Sequence, residues 1–126
     1  MKLIFGGAYQ GKLDYVKENY SLTQKDVFVC NKDEPKLDFT KKVIYRLEDF
    51  VLACLKEDKE AKEYLQDNRE TLQDKIIVCN DISQGIVPMN KEQRALREMT
   101  GRAMVYLGKE ADSAIRIFCG LAQKVK

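Results

Sequence analysis

The feature that most constrains the fold of this chain is the regular alternation of short apolar runs with segments of helical periodicity. Five buried strands are predicted, at residues 2–5, 27–30, 43–45, 75–79 and 114–119. Between them, apolar side chains recur at helical spacing in residues 12–20, 47–55 and 90–108. Strands that alternate with helices form parallel sheets through right-handed crossovers. The sequence therefore predicts one α/β domain over residues 1–126, with a mostly parallel sheet and helices on both faces.

The remaining segments carry weaker patterns. Residues 31–42 are polar and predict a loop, and the Glu- and Lys-rich residues 56–74 predict one amphipathic, partly exposed helix. Asn90 with Gln93 resembles a capping box at the start of the last helix. Residues 120–126 are expected to form a tail.

Composition excludes several classes of protein. The net charge is +2 with acids and bases interspersed, so no nucleic-acid partner is expected. No apolar run approaches the roughly 20 residues of a membrane helix, and the first residues lack a cleavable signal pattern. We therefore expect no membrane partner and a cytoplasmic location.

The four cysteines occur without a CxxC pair and without any histidine, which excludes a zinc-finger spacing. Cys30, Cys79 and Cys119 close apolar runs, where a reduced thiol serves as a small hydrophobe. A metal site of three thiolates at one sheet edge is the alternative, which ligand spacing does not support. We predict no metal site.

A candidate binding loop follows the first predicted strand. Gly6, Gly7, Ala8, Tyr9, Gln10, Gly11 and Lys12 match G-x-x-x-x-G-K between a strand and a helix. Glycines let backbone N–H groups surround an anion, the helix N-terminus adds positive potential, and Lys12 would reach the outer phosphates. The alternative is a glycine turn that only joins strand to helix. Leu13 stands where a Mg²⁺-binding Ser or Thr is usual.

The C-terminal half carries a resemblance to a known family. The motifs are Asn80-Asp81-Ile82-Ser83-Gln84-Gly85-Ile86-Val87-Pro88, then Arg97, Gly101-Arg102 and Ala111-Asp112. With the loop at 6–12, they resemble the adenosylcobinamide kinase / adenosylcobinamide-phosphate guanylyltransferase family of cobalamin biosynthesis. The resemblance implies a P-loop nucleotide-binding fold, a homo-oligomer (a trimer), and a transferase that uses ATP or GTP with Mg²⁺ on cobinamide, a corrinoid. It also implies nucleotide contacts from Gly6 to Lys12, with Lys12 catalytic, and a substrate loop with Asn80, Asp81, Gly85 and Pro88.

Several departures from the family pattern bear on activity. The family transfers GMP through a histidine located between its second and third strands, and the sequence contains no histidine. Leu13 and Arg46 stand where a Mg²⁺-binding hydroxyl and a strand-end acid are expected. We therefore predict that GMP transfer through histidine is impossible and that nucleotide binding hardly depends on Mg²⁺. Four hypotheses remain: a kinase, a nucleotide- or corrinoid-binding paralogue without catalysis, a regulatory subunit of a full-length relative, and a purely structural domain.

Overall fold

A single mixed sheet organises the protein. The computed structural model describes residues 1–7, 10–81 and 90–126. Within this part of the chain the strands are β1 (Lys2–Gly6), β2 (Val27–Val29), β3 (Val43–Tyr45), β4 (Ile76–Asn80), β5 (Ser113–Phe118) and β6 (Leu121–Lys124). Their order is β2-β3-β4-β1-β5-β6, with parallel pairing from β2 to β5 and antiparallel pairing between β5 and β6. The predicted α/β class with a mostly parallel sheet is confirmed.

Helices cover both faces of this sheet. They are α1 (Lys12–Asn19), α2 (Leu47–Lys56), α3 (Ala61–Asp67), α4 (Arg69–Leu72) and α5 (Lys91–Glu110), with a short 3₁₀ helix at Gln24–Asp26. On one face, Val16 of α1 joins a buried cluster with Ile4 and Val78. On the other face, side chains of α2 to α5 join Leu3 and Ile77 in the larger core. The sequence prediction of helices on both faces is confirmed.

The charged segment 56–74 departs from the single helix predicted for it. The α2 helix ends at Lys56, and Asp58 adopts a positive φ of 57° before α3 begins at Ala61. A second break falls at Asn68, whose side-chain amide donates to the Tyr64 carbonyl at 2.8 Å. Such local side-chain bonds compete with the helical backbone ladder. The single-helix prediction is therefore wrong, although Leu65 and Leu72 are buried.

The predicted tail at 120–126 is also wrong, because residues 121–124 form the edge strand β6. The chain reverses at Cys119 and Gly120, with φ angles of 51° and 74°. Two consecutive positive φ angles define the type I′ turn that fits the twist of a hairpin. The usual sequence signal for this turn is Asn-Gly, so Cys-Gly did not indicate it.

The capping box predicted at the start of α5 is present. Asn90 Oδ1 accepts from the Gln93 N–H at 2.8 Å, and Gln93 Oε1 accepts from the Asn90 N–H at 3.1 Å. Further along, the Arg102 guanidinium donates twice to Glu60, at 3.0 and 3.2 Å. This pair connects α5 to the start of α3.

Among the described residues, no helix is both long enough and apolar enough to cross a membrane.

The small-hydrophobe interpretation is confirmed for Cys30 and Cys79, which are buried, and is wrong for Cys119. Cys54 is also buried. Burial raises the pKa of Cys30 to about 12, that of Cys54 to about 11, and that of Cys79 well above its ordinary value. These groups therefore remain protonated thiols at neutral pH. Cys119 differs, since it is exposed in the hairpin turn.

Candidate nucleotide-binding site

The candidate site lies at the carboxyl ends of β1 and β4, where these neighbouring strands run in parallel. Gly6 is in register with Asn80, and the Asp81 N–H donates to the Gly6 carbonyl at 2.7 Å. The two segments singled out from the sequence therefore leave the sheet side by side. This edge is where open α/β sheets bind ligands. Ala8, Tyr9, Gly85 and Pro88, which the sequence also predicts in the site, lie outside the described residues.

The N-terminus of α1 presents backbone donors at this edge. Gly11 is its N-cap, with φ 84°, and no described side chain caps the helix. The first N–H groups of a helix have no partner within it and carry the positive end of the helix dipole. The first turn of α1 is therefore able to bind an anion through backbone amides.

A cleft of about 370 Å³ opens in front of this helix end. We call it the phosphate cleft; the described residues that line it are Gln10, Gly11, Lys12, Leu13, Asp14, Tyr45, Arg46 and Asn80. Its volume is within the range of small-molecule sites. Of the predicted site residues, the structure thus brings together Gln10, Gly11, Lys12 and Asn80.

Lys12 is unusually buried for a lysine, with 5% of its surface exposed. Its Nζ donates to the Gly7 carbonyl at 2.6 Å. Burial lowers the pKa of Lys12 below its ordinary value, and the negative charge of Glu48 opposes that shift. A partly desolvated ammonium gains much from a bound anion, because the attraction is stronger in a low dielectric.

Glu48 is a site residue that sequence reasoning missed. It lies in the first turn of α2, is 8% exposed, and its Oε1 accepts from the Asn80 N–H at 2.9 Å. The carboxylate therefore connects the start of α2 to the end of β4, beside Lys12. In the sequence it is one of two adjacent acids in a helical stripe, which gave no signal of burial.

Arg46 lies at the cleft as the sequence predicts, but its guanidinium is partly paired with two carboxylates. Its Nε lies 3.2 Å from Asp49 Oδ2 and 4.0 Å from Glu48 Oε2. The residue caps α2 with a positive φ of 63°. The guanidinium is half exposed, which leaves it able to contact a ligand in the phosphate cleft.

The hairpin turn between β5 and β6 donates two backbone hydrogen bonds to Gln10 of the candidate loop. The Gln10 Oε1 accepts from the Cys119 N–H, and the Gln10 carbonyl accepts from the Gly120 N–H at 3.1 Å. A Cβ on Gly6 would lie 2.3 Å from the Ile117 carbonyl oxygen, so only glycine allows this approach. Gly120, which was predicted to lie in a tail, thus contacts Gln10 next to the start of α1.

Comparison with known families adds the decisive observation. The family model for cobinamide kinase / cobinamide phosphate guanyltransferase matches residues 40–125, which is more than half of the chain. The chain belongs to this family. The match includes the β3, α2 and β4 side of the phosphate cleft, whereas the loop at 6–12 precedes it. No individual curated protein matches the chain.

In this family member, the two positions at which the family pattern implies Mg²⁺ ligands hold residues that do not ligate the ion. Mg²⁺ prefers octahedral oxygen ligands. Leu13 has no ligand atom, and the Arg46 cation lines the same cleft.

Proposed function

We propose that this member of the cobinamide kinase / guanyltransferase family binds the phosphates of ATP or GTP in the phosphate cleft and binds cobinamide nearby, without carrying GMP on a histidine. The observation that supports the nucleotide proposal most strongly is the convergence of Lys12 with the uncapped N-terminus of α1. Both favour negative charge in the same cleft.

The binding role follows from what the cleft retains. Backbone amides of α1 require no particular side chain, and the Lys12 ammonium is already oriented along the loop by the Gly7 carbonyl. A triphosphate oxygen offers Lys12 a charged acceptor in place of a neutral one, and charge-assisted bonds are roughly twice as strong. Phosphate binding therefore depends on the α1 backbone amides and the Lys12 ammonium, and this chain has both.

GMP transfer and phosphoryl transfer depend on residues at which this chain differs from the family pattern. A phosphoramidate to histidine requires a histidine, and the 126 residues contain none. Phosphoryl transfer depends on a metal ion that bridges the phosphates, and such stabilisation is worth several kcal/mol. With Leu13 and Arg46 at the two expected ligand positions, we expect phosphorylation of cobinamide to be slower than in metal-dependent kinases by orders of magnitude.

A calorimetric titration with ATP and GTP tests the nucleotide proposal. Lys12→Ala removes a hydrogen bond to a charged group, which is worth about 1.5–3 kcal/mol, so we expect affinity to fall about 10- to 100-fold. Lys17→Ala is the matched control, because Lys17 lies on the same helix but contacts Gln24 and does not line the cleft. Equal affinity of the parent protein and Lys12→Ala would show that residues 6–12 are only a turn.

The same titration with and without Mg²⁺ separates binding from kinase activity. We expect affinity to change little when Mg²⁺ is added, because neither Leu13 nor Arg46 is able to ligate it. Many-fold tighter binding with Mg²⁺ would mean that another acid, such as Asp14 at the mouth of the cleft, has replaced the usual ligands. The kinase hypothesis would then be favoured.

A further inference from the structure

One wall of the phosphate cleft carries a cation that departs from the family pattern. Arg46 lines the cleft together with Lys12 and the first turn of α1. It stands at the position where the family pattern implies an acid that binds Mg²⁺. The sign of the charge at this point of the cleft is therefore the reverse of what the family pattern implies.

The backbone of Arg46 gives a second reason to ask what its side chain does. Arg46 is the single residue between β3, which ends at Tyr45, and α2, which begins at Leu47. It adopts the left-handed conformation, with φ 63° and ψ 52°. Glycine is the default residue there, followed by asparagine and aspartate, because other side chains are strained. The turn between β3 and α2 therefore does not account for an arginine.

Two carboxylates of α2 lie beside the Arg46 guanidinium. Asp49 Oδ2 is 3.2 Å and Glu48 Oε2 is 4.0 Å from its Nε. Glu48 also accepts a hydrogen bond from the Asn80 N–H, so Asp49 is the closer and more independent partner. The Arg46 side chain is half exposed, and ion pairs of this kind are weak. A ligand with more negative charge is therefore able to replace Asp49.

Phosphate is the ligand chemistry that suits this arrangement. A guanidinium binds phosphate oxygens through two parallel N–H bonds, a geometry that the lysine ammonium does not offer. The described lining of the cleft contains two cations, Lys12 and Arg46, and one acid, Asp14. Together with the backbone amides of α1, the two cations favour an anion with several negative charges.

We propose that Arg46 binds a phosphate of the nucleotide and supplies positive charge of the kind that a metal ion supplies in metal-dependent kinases. The guanidinium leaves Asp49 when the nucleotide enters, and the phosphates then contact both Arg46 and Lys12. The ligand class is a nucleoside triphosphate without a bound metal. The inference rests on the proposed function, because it requires nucleotide phosphates in the phosphate cleft.

Calorimetric titrations with ATP in the presence of EDTA test the role of Arg46. Arg46→Asn is the main variant, because asparagine tolerates the positive φ and carries no charge. We expect affinity to fall about tenfold, through loss of a hydrogen bond between charged groups, without a lower melting temperature. Arg46→Lys keeps the charge but not the planar fork, so it should retain part of the affinity. An arginine with only a structural role would leave the affinity of both variants unchanged.

Asp49→Asn tests whether the ion pair restrains Arg46. With this pair removed, the parent chain should bind ATP about two- to fivefold tighter, which is the range that an exposed ion pair is worth. The gain should be smaller in the Arg46→Asn background, because the double-mutant cycle isolates the coupling between the two residues. Asp33→Asn is the matched control, since it removes the same charge from an ion pair with Lys56 at the other end of α2. Equal gains in both backgrounds would contradict the restraint.

Inorganic triphosphate is the second probe, because it carries the phosphates without a base or a sugar. We expect Arg46→Asn to weaken triphosphate and ATP by the same factor. If it weakens only ATP, Arg46 contacts the base or the sugar and the inference is wrong. If Lys12→Ala weakens ATP and Arg46→Asn does not, the inference fails while the proposed function remains. If the parent protein binds neither probe, both fail.

Discussion

Substitution of Gly6 by alanine should destabilise the protein more than any other alanine change in the candidate loop. Gly6 has φ 153°, a value that L-residues rarely adopt, and its added Cβ would lie 2.3 Å from the Ile117 carbonyl oxygen. The backbone strain costs about 1–2 kcal/mol, and the overlap with a fixed backbone atom costs about 1–3 kcal/mol. We therefore expect a total loss of roughly 2–5 kcal/mol.

Thermal denaturation followed by circular dichroism measures this loss. For a chain of this size, roughly 4 °C of melting temperature corresponds to 1 kcal/mol, so Gly6→Ala should melt about 8–20 °C lower. Gly7→Ala is the control, because among the described residues its Cβ would meet only the flexible Gln10 side chain, at 3.7 Å. Gly11→Ala, with φ 84° and an ordinary 3.7 Å contact to the Gly120 Cα, should fall between them. If Gly6→Ala and Gly7→Ala melt at the same temperature, the packing of β1 against β5 described above is incorrect.

Three further predictions concern the surroundings of the site. The bond from Arg102 lowers the pKa of Glu60, so the stability it contributes is present above the ordinary Glu pKa and lost as pH falls through the lowered value. Glu60→Gln should thus cost about 0.5–1 kcal/mol at pH 7 in urea denaturation, and this cost should shrink as pH falls through the lowered pKa of Glu60. Cys119→Asn should raise stability by about 0.5 kcal/mol in the same assay, because asparagine favours the positive φ of this turn. Incubation with labelled GTP should leave no acid-labile GMP on the protein, whereas stoichiometric labelling would require a nucleophile other than histidine.

Sequence reasoning predicted the parts of the fold that depend on local periodicity. The apolar runs that became β1 and β3 were identified because burial on both sides of a parallel sheet imposes continuous hydrophobicity. The stripe that became α2 was identified because the buried face of a helix repeats its apolar residues at helical spacing. The strand β6 was missed because Leu121 and its neighbours are all exposed, so no burial pattern marks them.

The candidate site was predicted only in part for a similar reason. Lys12 and Asn80 were found because strand ends and glycine turns are visible along the sequence. The contact of Glu48 with Asn80 was not, because it depends on which backbone amide the folded chain brings next to the carboxylate. The sequence alone does not indicate which group a charged side chain contacts in the folded protein.

The most direct test of nucleotide binding in the phosphate cleft is an amide chemical-shift titration with ATP in the absence of Mg²⁺. We expect the largest shifts at Gly11, Lys12 and Leu13, whose N–H groups begin α1, with smaller shifts at Asn80. A cavity at the opposite edge of the sheet, whose lining includes Lys2, Lys42 and Lys75 together with Asp74 and Asp112, is the internal control. Shifts that are largest around Lys42 and Lys75, with none at Lys12, would contradict nucleotide binding in the phosphate cleft.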